Sequence, residues 1–90
     1  VISVVSNIIP GMMHSMCKAY AQKDLEQAKK IHLQMAPLCR AMFLETNPIP
    51  VKTSLSMMGK LEKGFRLPLV PMRPENEDAL RSALSENGLI

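Results

Sequence analysis

Among 90 residues, the side chains able to do chemistry are few and scattered. Lys52 is the tempting nucleophile, because a lysine stripped of water can form a Schiff base with a carbonyl substrate. It follows Asn47-Pro48-Ile49-Pro50-Val51, early in what reads as a helix. A lysine there is expected to cap or to pair with a carboxylate such as Glu45. His14 and Cys17 stand at i, i+3, and His32 and Cys39 at i, i+7, so a zinc site of two cysteines and two histidines is conceivable. Neither pair has the short spacing of zinc motifs, and core thiols with surface imidazoles are the simpler reading. No metal is expected. Eight methionines could line an adaptable groove, yet most recur at core spacing. There is no Ser-His-Asp set, phosphate loop, dinucleotide fingerprint or paired carboxylate. The chain alone is expected to hold neither a catalytic residue nor a cofactor.

Composition narrows the partners. Eleven basic and eight acidic residues leave a net charge of +3, with no block of like charge. The nearest basic cluster, Lys23, Lys29 and Lys30, is interrupted by Asp24 and Glu26. Nucleic acid needs a basic stripe on one face, and a helix-turn-helix needs a basic recognition helix, so neither is expected. No apolar run approaches the roughly 20 residues that span a bilayer. Two cysteines 22 positions apart form no disulfide framework, which makes a reduced cytoplasmic setting the default. Val1 opens the chain inside an apolar, β-branched run with no basic stretch before it. That is not a signal peptide. It reads as a piece of a longer chain.

The elements that must position these residues follow from periodicity. Val1–Val5 is β-branched at four of five positions and reads as a short, fully buried strand. A lone strand leaves its backbone groups without neighbours, so partner strands are expected outside the chain. Ser6 or Asn7 can cap a helix that has Pro10 in its first turn and an apolar stripe of Met12, Met13, Met16, Cys17 and Tyr20. Asp24 with Gln27 is a variant capping box opening a second helix, striped by Leu25, Ala28, Ile31, Met35, Leu38 and Met42. Pro37 should bend it. Asn47 can cap a third helix, with Pro50 in the first turn, Val51, Leu55 and Met58 inward, and Gly59 just past the end. Residues 61–74 contain Gly64, Pro68, Pro71 and Pro74, and so read as an extended connector. Its Phe65, Leu67, Leu69, Val70 and Met72 argue that it lies buried on a surface. A last helix runs from Glu75 to Glu86 with Leu80, Ala83 and Leu84 inward, closed by Asn87-Gly88. Leu89 and Ile90 fold back on it.

These segments, in order, match a family. Val1-Ile2-Ser3-Val4-Val5-Ser6-Asn7 resembles the last barrel strand and following loop of dihydrodipicolinate synthases. Met35-Ala36-Pro37-Leu38 resembles the family's Met-Pro-Leu, with Ala36 inserted or substituted. Phe43-Leu44-Glu45-Thr46-Asn47-Pro48-Ile49-Pro50-Val51-Lys52 resembles Phe-Val-Glu-x-Asn-Pro-Ile-Pro-Val-Lys. Arg66-Leu67-Pro68-Leu69 and the closing Leu80-Arg81 through Gly88-Leu89-Ile90 resemble the family's Arg-Leu-Pro-Leu and its ending. The resemblance covers essentially the whole chain.

It implies a mostly α fold: the last strand of a TIM barrel followed by a four-helix C-terminal extension. Residues 1–22 would be the barrel remnant and 23–90 the C-terminal helical domain. The whole enzyme implied is a cytoplasmic, tetrameric lyase of lysine and diaminopimelate biosynthesis that condenses pyruvate with aspartate semialdehyde. Its Schiff-base lysine, tyrosine relay and pyruvate loop all precede this segment in the family. One position maps onto the active-site wall, Ile2, through its backbone carbonyl, as fits a strand end in a barrel. The segment itself is expected to be non-catalytic, with a structural and self-associating role. The competing expectation is an independent helical interaction module with a Met-rich groove.

Overall fold

Prolines open three of the four helices. Pro10, Pro50 and Pro74 each occupy a first turn, where the missing N–H costs nothing. In the computed structural model, which describes all 90 residues, α1 is Pro10–Ala21, α2 Leu25–Ala41, α3 Ile49–Met57 and α4 Pro74–Glu86. Asp24 caps α2, its Oδ1 accepting from the Gln27 N–H at 3.2 Å. Pro37 lies inside α2, which continues as one helix to Ala41. The ends of α1, α3 and α4 share one device. Beyond each, a left-handed residue turns the chain so that the next N–H donates five residues back, to the carbonyl of the third residue from the helix end. The bonds are Asp24 to Ala19, Lys60 to Leu55 and Leu89 to Leu84, each 2.9 Å. The left-handed residues are Lys23, Gly59 and Gly88, with φ of 63°, 74° and 73°.

α2 is the spine of the core. α1 packs along it, and α4 packs on both α2 and α3. One apolar cluster gathers Met35, Leu38 and Met42 from the α2 end with Leu80 and Leu84 from α4, and reaches back to Val5. Thr53 and Ser54 are also buried in α3. Their hydroxyls donate to the carbonyls of Ile49 and Pro50, both at 2.8 Å, so neither is left unpaired.

The structure departs from the sequence expectations at several points. Residues 1–5 form no strand: Val1 and Ile2 are 90% and 104% exposed, and Val5–Asn7 is a 3₁₀ turn. The chain offers no second strand, so the extended backbone has nothing to bond, and the local turn satisfies it instead. Ser6 and Asn7 do not cap α1. The Ser6 hydroxyl donates to the Ser3 carbonyl at 2.7 Å and the Asn7 amide to the Val4 carbonyl at 2.9 Å, while the cap position is Ile9. The α1 seam is centred on Met16 and the buried Ala19, which leaves Cys17 and Tyr20 exposed. α1 is covered by α2 and by the 3₁₀ turn Val5–Asn7, and together they cover a narrower stripe than the spacing spans. Leu25, in the hairpin bend, is exposed for the same reason. Asn47 is not a cap, because Pro48 holds that position. In the connector, Met72 alone is buried, with Phe65 and Leu69 half-buried and Leu67 85% exposed. α3 and α4 already occupy one another's inner faces, so little surface remains for the connector to cover. Leu89 folds back onto the core as expected, and Ile90 stays exposed.

Candidate functional site

The largest cavity is an open cleft of ≈ 580 Å³ between residues 44–49, the connector and the start of α4. Glu45 is its polar centre. The carboxylate accepts from the Arg73 backbone N–H and from the Asn76 side-chain amide, both at 2.9 Å. The bond from Asn76, then that from the Arg73 N–H, then the nearby Arg73 charge hold the Glu45 carboxyl below the ordinary carboxylate range. A carboxylate engaged in this way is a weak base. Its other walls, Ile49, Pro68, Leu69, Val70 and Pro71, carry no ionisable group. The cleft therefore has the means to hold a shape and not to move a proton. Nothing local in the sequence pointed to this network, since Glu45 lies 28 and 31 residues from its two partners.

A second groove, of ≈ 260 Å³, runs along Ile2, Ser3, Val4 and Val5 to Cys39 and Phe43. Ile2 sits at its rim and makes no backbone hydrogen bond. Lys52 meets neither a carbonyl-binding pocket nor Glu45. Its ammonium lies 5.1 Å from the centroid of the Phe65 ring, a cation–π contact that ties α3 to the connector. This corrects the expected pairing with Glu45. His14, Cys17 and His32 are exposed and Cys39 is half-buried, and no three His, Cys, Asp or Glu residues come close enough to share a metal ion. No helix is long and apolar enough to cross a membrane.

With this geometry in hand, the comparisons decide the family. The model of the dihydrodipicolinate synthetase family matches residues 1–87. The chain belongs to that family. It is 62% identical, over all of its 90 residues, to the 4-hydroxy-tetrahydrodipicolinate synthase of Oleidesulfovibrio alaskensis, and covers 31% of that protein. The fold superimposes on a crystal structure of dihydrodipicolinate synthase from Thermotoga maritima with a TM-score of 0.96 at 47% identity, covering 100% of this chain and 30% of that one. A monomeric dihydrodipicolinate synthase variant gives the same 0.96 at 47% identity. The chain thus spans about a third of its relatives' length, and what it contributes is helical, with no barrel of its own. This agrees with the C-terminal helical segment that the motifs implied.

Proposed function

We propose that the chain is the structural, C-terminal helical part of a cytoplasmic dihydrodipicolinate synthase. The whole enzyme would condense pyruvate with aspartate semialdehyde through a lysine Schiff base in lysine and diaminopimelate biosynthesis. Residues 1–22 would complete the barrel and 23–90 form the helical domain. The Ile2 backbone carbonyl would line the active-site wall. The role left to the segment is to pack on the barrel and to help build the homo-oligomer, a tetramer in the whole enzyme. No cofactor enters the scheme. The observation that carries this reading is the family match over residues 1–87 in a chain whose one candidate nucleophile, Lys52, is engaged by Phe65.

Two measurements test it. Borohydride reduction of the 90-residue chain with pyruvate should leave its 10.0 kDa mass unchanged. A pyruvyl adduct on Lys52 would give the segment chemistry of its own and overturn the structural role. Co-expression with the remaining two-thirds of a family relative should restore condensation activity that neither piece has alone. Inactivity of a well-folded mixture counts against the reading.

A further inference from the structure

The start of α4 lacks the means to cap itself. Its cap position is Arg73, which has no side-chain acceptor, and the next residue is Pro74. In a capping box, a Glu three residues into the helix reaches back to the N–H of the cap residue. Here that third position is Asn76, which donates its amide elsewhere. Glu45, from the segment between α2 and α3, fills the vacancy: it takes the Arg73 N–H and the Asn76 amide together. Its negative charge also lies at the positive end of the helix dipole.

We propose that Glu45 is a long-range N-cap that acts as a latch. Ionised, it seats the connector and the first turn of α4; protonated, it loosens residues 68–77 while the rest of the fold stays. The two parts of α4 are held differently. Leu80 and Leu84 are fully buried and anchor its later turns. The earlier segment keeps only Met72, the half-buried Leu69 and the exposed Lys63–Glu77 pair at 3.5 Å, which is worth little in water. Protonation removes one acceptor site and the charge. Both donors share Oε2, so a proton on Oε1 leaves them a neutral carbonyl oxygen and weakens both bonds by removing their charge.

The charged groups around the latch are few. Within the cleft they are Glu45 and Arg73 alone, since α3 contributes Ile49 and the connector contributes prolines and aliphatic residues. On α4 itself Glu75 is exposed, and Glu77 is engaged by Lys63 and Arg81. A carboxyl held below its ordinary value in the folded state stabilises fully above the unfolded pKa of about 4.3 and loses that contribution as pH falls through the lowered value. The latch therefore opens only in acid.

The test is a pH titration of the full 90-residue chain by amide NMR, with hydrogen exchange at neutral pH. The Arg73 N–H and the Asn76 side-chain amide should shift together, with one midpoint below the ordinary carboxylate range, while α1 and α2 amides hold still. Glu45→Gln should abolish that titration and speed exchange in residues 68–77 by about fivefold, the effect of exchanging a charged acceptor for a neutral one. Glu77→Gln should leave the Arg73 titration intact. An Arg73 shift that survives Glu45→Gln overturns the proposal. So does unchanged exchange in that variant, or loss of the whole fold, because the latch is local.

Discussion

Lys23 holds φ at 63° in the turn between α1 and α2, the position that Gly59 and Gly88 fill at the ends of α3 and α4. A side chain in that conformation crowds its own carbonyl at a cost of roughly 1–2 kcal/mol that glycine avoids. Glycine gives part of this back through its freer unfolded chain. Lys23→Gly is therefore expected to raise stability by about 0.5–1 kcal/mol, seen as a higher urea midpoint with an unchanged slope. A lower midpoint would mean that the lysine makes a stabilising contact outweighing its strain. Lys52 shows the opposite relation between residue and context. Its type and motif suggested ion pairing, while its actual neighbour is an aromatic ring 5.1 Å away. The choice between Glu45 and Phe65 was made by where the connector runs, 13 residues later, which the local sequence does not encode.

At the level of elements, the helices were legible because their signals are local. Caps, end glycines and first-turn prolines act over three or four residues, and Asp24, Gly59, Gly88, Pro10 and Pro50 stand where these rules place them, while Pro74, read as connector, opens α4. Faces were less legible. Spacing defines a broad apolar stripe, and the neighbouring elements decide which part is covered. On α2, Leu38 is fully buried while Leu25, of the same stripe, is 60% exposed, and Leu33, outside the stripe, is 59% exposed. Leu84→Ala on α4 should therefore cost about 2–5 kcal/mol by opening a cavity, and Leu33→Ala no more than about 0.5 kcal/mol. A domain this size commands only roughly 5–13 kcal/mol in total, so Leu84→Ala brings it near unfolding at ambient temperature. Denaturant melts of the pair decide the point. Equal losses at the two positions would mean that the face of α2 is misassigned.

For the whole molecule, the radius of gyration is 14.0 Å and the long axis 43 Å. A rounded domain of this length has a radius near 12 Å. Elongation leaves only 18 of 90 residues buried, and large apolar side chains such as Ile2, Tyr20, Phe43 and Leu67 stay open to water. Such a surface favours association, because each covered Å² returns roughly 25 cal/mol. Light scattering on the isolated chain is expected to give a mass above 10.0 kDa that rises with concentration. A constant 10.0 kDa over a wide range would favour the free-standing interaction module instead.

Taken by itself, the sequence determined the family, the helices and several of their ends, such as the Asp24 cap and the Gly59 and Gly88 stops, because motifs and caps are short-range patterns that survive without knowledge of the fold. It also determined that Val1–Val5 is apolar and β-branched, but not what that run becomes. A strand is a relation between two segments, and this chain supplies only one, so the residues end in a 3₁₀ turn with Val1 and Ile2 exposed. Tertiary structure alone decided that Glu45 caps a helix whose cap position, Arg73, lies 28 residues later, that Thr53 and Ser54 are buried, and that most of the connector lies open. Each of these depends on which surfaces meet across a long stretch of chain, and burial and long-range hydrogen bonds leave no periodic trace in the residues that make them.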